Sequence, residues 1–109
     1  ATGCIAAIAD DHEVVAVAGA PKKQFVEKRL SEQAEEIMKS RETLVSNAPN
    51  ENPVVDNAQF ESQVMAPIHS GDEPAGLVVL MPREPRQMGS TETKLVETAA
   101  AFLGKQLLQ

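Results

Sequence analysis

A chain of 109 residues with 42% apolar and 24% charged side chains is one domain with one core, and at this length about two-thirds of the unfolded surface is buried on folding. A net charge of −6 and only three aromatics, Phe25, Phe60 and Phe102, exclude the domain itself as a nucleic-acid binder, which needs basic patches and stacking platforms. The single cysteine, Cys4, excludes an intramolecular disulfide, and no run approaches the roughly 18 apolar residues of a membrane span.

These features point to a reducing compartment and a cytoplasmic location, with no membrane partner. No signal peptide is visible. The chain opens at Ala1 in a strand-like run, as expected of a piece of a larger protein.

Cys4 to Ala9 (CIAAIA) is a continuous apolar run, and Val14 to Ala18 (VVAVA) is a second. The polar Asp10-Asp11-His12-Glu13 between them predicts a β-hairpin. Neither run alternates in polarity, as expected of strands covered on both faces. Gly19-Ala20-Pro21 ends the hairpin. Residues 22–30 form a short helix or turn, with Phe25, Val26 and Leu30 on one side. Ser31 is a good helix N-cap, with Glu32, Glu35 and Glu36 near the helix N-terminus, where acidic groups are favoured. Ala34, Ile37 and Met38 are its apolar stripe. Residues 43–45 are a short edge strand.

Residues 46–59 hold four asparagines and two prolines and read as a long surface loop, either a plain connector or a lid pinned by Val54-Val55. Phe60, Ser62, Val64, Ala66 and Ile68 then alternate along a strand. A turn at residues 70–74 leads to Gly76 and the apolar run Leu77 to Met81, a central strand. Pro82, Pro85 and Gly89 mark a loop. Ser90 or Thr91 caps a last helix running to about Leu108. On it Leu95, Ala99, Phe102 and Leu103 form one stripe, widened by Val96, Ala100 and Leu107. The element order is ββααβββα, an α+β domain with an antiparallel sheet.

No catalytic or metal constellation emerges. Asp10, Asp11, His12 and Glu13 are adjacent turn residues, which seldom converge on one ion. His12 and His69 fall at predicted turns and read as surface histidines. Cys4 reads as a small buried hydrophobe with no resolving thiol beside it. Walker, dinucleotide and nucleophile-elbow motifs are missing, and Gly71 and Gly76 read as turn glycines. Lys22, Lys23, Lys28 and Arg29 form the one basic cluster, read as a solvated helix face rather than an anion site.

The stretch APIHSGDEPAGLVVLM, the string VETAAAFL and the opening CIAAIADDHEVVAVAG followed by PKKQFVEKRLSE together resemble the GAF domain of AbrB-type sporulation transcription regulators. The resemblance implies a GAF-like sheet of strand order 2-1-5-4-3 with helices on both faces. Residues 4–9 and 77–81 become the paired central strands. It implies a ligand pocket between sheet, middle helices and the 46–59 loop, which maps to Gly19, Phe25, Leu30, Ile37, Val55, Phe60 and Ser62. It implies a homo-oligomer through the last helix, with Leu95, Val96, Ala99, Phe102, Leu103 and Leu107 as contact residues. DNA would be bound by a separate domain outside this chain, and the N-terminal helix that pairs with the last helix in the family is missing from it. The expected partner is an unidentified small-molecule effector, with no cofactor and no enzymatic activity. A structural dimerisation module without a ligand is the alternative. GAF-fold reductases of methionine sulfoxide use several cysteines, and this chain has one.

Overall fold

A computed structural model describes residues 3–49, 53–56, 60, 62–84 and 86–107. Strands β1 (Cys4–Ala9) and β2 (Val14–Ala18) form the first hairpin. Its turn is made by Asp10, whose Oδ1 accepts the amides of His12 and Glu13, both at 2.8 Å. This is an Asx-type turn, in which one oxygen of the Asp10 carboxylate organises the hairpin loop.

Of the short helix or turn expected over residues 22–30, the structure has the turn. Only Lys22–Gln24 form a single 3-10 turn, and the chain then runs beside β2. Val14 donates to the Lys28 carbonyl at 3.0 Å, and Glu27, with φ +68, donates to the Val14 carbonyl at 2.9 Å. This segment covers part of an otherwise open sheet edge. Lys22, Lys23, Lys28 and Arg29 are all exposed along it.

Helix α1 (Glu32–Ser40) is capped by Ser31, whose hydroxyl accepts the Ala34 amide at 3.0 Å, as the sequence predicts. It stops at Arg41, which adopts the left-handed conformation with φ +66. The edge strand β3 (Leu44–Ser46) sits one residue later than expected. β4 (Gln63–Ser70) and β5 (Glu73–Pro82) form a hairpin tighter than the predicted 70–74 turn. Ser70 pairs with Glu73, and Gly71 takes φ +64 at the first loop position, the glycine site of a two-residue II′ turn.

The five strands form one antiparallel sheet in the order β2-β1-β5-β4-β3. β1 and β5 lie side by side at its middle, from Cys4 opposite Pro82 to Ala9 opposite Leu77. Gly76 belongs to β5 rather than to the turn. A side chain there would strike the Ala9 carbonyl oxygen, so the glycine lets the two central strands run together.

Both faces of these strands are covered, which accounts for their unbroken apolar runs. Ala7, Ala9, Met65, Leu77, Val79 and Met81 face α1. Val64, Ala66, Ile68, Val78 and Leu80 face the last helix, α2 (Ser90–Leu107), through Val96 and Ala100. Fully burying a Leu, Val or Met side chain contributes about 1.5–3 kcal/mol, so these two aliphatic layers carry the fold with little aromatic help.

The cap of α2 is Gly89 rather than Ser90 or Thr91. The Gly89 amide donates to Glu92 Oε1 at 2.8 Å, and the Gly89 carbonyl accepts from the Thr93 amide at 3.0 Å. The helix begins one residue earlier than the Ser-Thr pair suggested, because Glu92 supplies the reaching carboxylate of a capping box. Among the described residues, no helix is long and apolar enough to cross a membrane.

Candidate functional site

The α1 face is organised by Ser31. This residue is buried, and it fastens the segment 53–56 to the helix N-terminus at two points. Its amide donates to the Val54 carbonyl at 2.9 Å, and its hydroxyl donates to the Pro53 carbonyl. The same hydroxyl accepts the Ala34 amide, so one side chain both caps α1 and clasps the loop. Val54 and Val55 are thereby laid onto the sheet as a flap, both buried.

Val55 of the flap joins Phe25, Leu30, Phe60, Met38 and Met65 beneath it in one apolar cluster, with Ile37 half-buried at its margin. Of the residues mapped to a ligand pocket by resemblance, five therefore meet here. Two do not. Gly19 lies just past the end of β2 with φ +88, where a side chain would meet the Cys4 carbonyl and the Arg83 guanidinium. Ser62 is buried and donates its hydroxyl to the Arg86 carbonyl, tying the start of β4 to the loop before α2.

The expected alternation from Phe60 through Ile68 holds for Val64, Ala66 and Ile68, and Phe60 departs from it for a simple reason. β4 starts only at Gln63, so Phe60 is outside the pleat and turns to the α1 face, while Val64, Ala66 and Ile68 face α2. Val54 was not among the mapped residues, although its pairing with Val55 in a polar loop was the signal that could have found it.

The last helix divides its apolar residues between two sides. Val96 is 2% exposed and packs on the sheet with Ala100, so it is no contact residue for a partner. Ala99 and Leu103 are half-buried beside them. Leu95, Phe102 and Leu107 point outward, at 50%, 61% and 58% exposure. Next to the C-terminal half of α2 runs an apolar groove of about 240 Å³, walled by Ile8, Val15, Ile68, Ala75, Leu103 and Leu107.

The loop before α2 is held by Arg86. Its guanidinium donates to the Cys4 sulfur at 3.0 Å and to Glu92 at 3.2 Å, and these two bonds, the first foremost, raise its pKa further. Glu92 is pulled below the ordinary carboxyl range mainly by the Gly89 amide, with Arg86 adding to it.

His69 corrects the expectation of a surface histidine in a turn. It lies within β4, and its Nε2 is shut off from solvent with no hydrogen-bond partner. Burial first, and the positive charge of Arg41 second, lower its pKa.

Comparison with known proteins gives a consistent picture. The structure superposes on the GAF domain of a phosphoenolpyruvate-protein phosphotransferase from Coxiella burnetii with a TM-score of 0.74 at 17% identity, covering 94% of this chain and 70% of that one. It superposes on GAF3 of Slr1393 from Synechocystis sp. PCC6803, in its photoproduct state, with a TM-score of 0.72 at 16% identity, covering 96% and 82% of the two chains. At these identities the likeness establishes the GAF fold alone.

In sequence, the chain is 33% identical over 104 residues to stage V sporulation protein T of Bacillus subtilis (strain 168). The match takes in 94% of this chain and 58% of that relative, so it spans less than two-thirds of the relative's length. The profile described as stage V sporulation protein T C-terminal, transcription factor, matches residues 1–108. With a five-stranded sheet in GAF order and helices on opposite faces, this chain belongs to the family of the C-terminal, GAF-like domain of the transcription factor stage V sporulation protein T.

Proposed function

We propose that this domain senses a small molecule and mediates oligomerisation for a bacterial sporulation transcription regulator acting in the cytoplasm, with DNA held by a separate domain. The observation that carries the sensing part is the Ser31 clasp. One buried side chain couples the flap over the α1-side cluster to the cap of α1. An effector entering the Phe25–Leu30–Phe60 cluster would displace Val54 and Val55, release the two flap carbonyls from Ser31, and so act on the helix as well. The effector shifts the regulator's state only to the extent that it binds the open arrangement more tightly than the closed one.

The oligomerisation part is supported by the outward side chains Leu95, Phe102 and Leu107 on α2. The test is a metabolite library screened by thermal shift, with hits followed by calorimetry and by the methyl resonances of Val54 and Val55. Hits that raise the melting temperature and move those methyls support the proposal. A library in which no compound does either contradicts sensing.

A second reading, a structural dimerisation module without ligand, is favoured by the way Phe25, Leu30, Val55 and Phe60 fill the α1-side cluster with their own side chains. Sedimentation of the full-length regulator with and without α2 tests it. Loss of self-association on removing α2 supports it, and an unchanged association state contradicts it.

A further inference from the structure

On the α2 side of the sheet, opposite the flap, a cleft of about 240 Å³ lies between α2, β4 and the segment 41–43 that leads into β3. Its polar groups come from four places in the chain and are incompletely satisfied. Arg41, fixed in the left-handed conformation just past α1, donates Nη2 to the Gly71 carbonyl at 3.2 Å. Its only ion pair among the described residues is a loose 3.6 Å approach to Asp72, whose side chain is 98% exposed. A guanidinium carries five N–H donors, so most of this fork is open.

Across the cleft, Glu97 of α2 accepts the Thr43 hydroxyl at 2.7 Å and meets no cation among the described residues. His69 adds the orphaned Nε2. Arg41 and Glu97 line the same cleft without pairing with each other, and Ala66 and Ala100 give it a small apolar floor. A cleft with separated charges of both signs is poorly matched by a singly charged ligand, which meets one of the two groups and sits beside a like charge at the other. A ligand carrying both charges close together satisfies both.

We infer that this cleft is a second binding site, separate from the flap, for a small zwitterion of the α-amino-acid class. Its carboxylate takes the open edge of the Arg41 fork, beside the His69 ring, and its ammonium goes to Glu97. The small volume and the alanine floor select a short side chain, since sites for larger ligands start at about 300 Å³. Occupancy would bridge the end of α1, β4 and α2, bracing the helix that carries Leu95 and Phe102.

The test is titration of the 109-residue chain with glycine, L-alanine, L-serine and L-valine, each at millimolar concentration. It is read by calorimetry and by the imidazole resonances of His69 and the amide of Ala100. Propionate and propylamine, each carrying one of the two charges, are the controls. Arg41→Gln and Glu97→Gln alter exposed side chains, and their folding is checked by urea denaturation. The expected result is a saturable shift at His69 and Ala100 with at least one amino acid. Affinity should fall about tenfold or more in each variant and with each control, as for loss of a charge-assisted bond. Absence of any shift with all four amino acids, or binding unchanged in both variants, overturns the site. Shifts confined to Val54 and Val55 also overturn it, while supporting a ligand under the flap.

Discussion

Replacing Ser31 with alanine removes two hydrogen bonds at once, and their sizes follow from the geometry. The Ala34 amide loses its 3.0 Å capping bond, which costs about 1 kcal/mol within a range of 0.5–2. The Pro53 carbonyl loses its hydroxyl donor in a part-buried setting, another 1 kcal/mol or so. The Ser31 amide keeps its bond to the Val54 carbonyl, so the flap is loosened rather than released. The expected total is about 2 kcal/mol, close to an 8 °C fall in melting temperature for a domain of this size. Glycine at an N-cap costs only a few tenths of a kcal/mol, so Ser31→Gly should be milder than Ser31→Ala and should report mainly the lost clasp. Urea denaturation of wild type and both variants, fitted with a common m-value, measures the differences. A Ser31→Ala loss below about 0.5 kcal/mol, the level of an ordinary surface substitution, would refute the double role of this hydroxyl.

Gly104→Ala should destabilise. Alanine ordinarily gains about 1 kcal/mol over glycine in a helix, but here its methyl would strike the His69 carbonyl, and overpacking of this kind costs about 1–3 kcal/mol. A more stable variant would show that α2 is not seated on β4 as described. Phe102→Glu should leave urea stability within about 0.5 kcal/mol, since the ring is 61% exposed, while weakening self-association in sedimentation. Equal association of variant and wild type would remove Phe102 from any interface.

Stability should also fall with pH in two stages. His69 is held below its usual pKa by burial first and by Arg41 second, so the folded state binds its proton less readily than the unfolded state. Its contribution is complete above about pH 6.5 and is lost as pH falls from there through the folded-state pKa. Glu92 is depressed mainly by the Gly89 amide. At Asp10, burial pushes the pKa up, but the Glu13 and His12 amides and the His12 charge together outweigh it. Both groups stabilise above the ordinary carboxyl range near pH 4, and that stability is lost as pH falls below it. His69→Phe should abolish the upper stage alone, and a profile flat between pH 7 and pH 5 in wild type, a span bracketing the usual histidine range, would contradict the account of His69.

The central strands were readable because their chemistry is extreme. Ile5, Ala7 and Ala9 alternate with Ala6 and Ile8, yet every one of them is apolar, and only a strand with cover on both faces tolerates that. Ser31 was readable as a cap from its place before an acidic first turn. The strand order came from family likeness in the hairpins and in VETAAAFL, not from periodicity. What escaped depends on where elements begin. Period-two counting put Phe60 with Val64, and the late start of β4 at Gln63 turned it to the other face. Helical spacing grouped Val96 with Leu95, yet neighbours on a helix stand about 100° apart, and α2 buries one of them and exposes the other. His69 looked like a turn residue because the hairpin loop is only two residues long, which places His69 inside β4. The cleft of Arg41, Thr43, His69 and Glu97 joins residues that no linear motif connects.

Native-state amide exchange at Ser31 speaks most directly to the flap. Its N–H is bonded to the Val54 carbonyl and is freed only when the flap lifts. A flap that works as a separate element opens locally, so Ser31 should exchange at a rate nearly independent of dilute urea, while Ala7 and Val79 in the central strands exchange only by global unfolding. If Ser31 instead follows the same urea dependence as those strands, Val54 and Val55 are an inseparable part of the core, and sensing through this flap is contradicted.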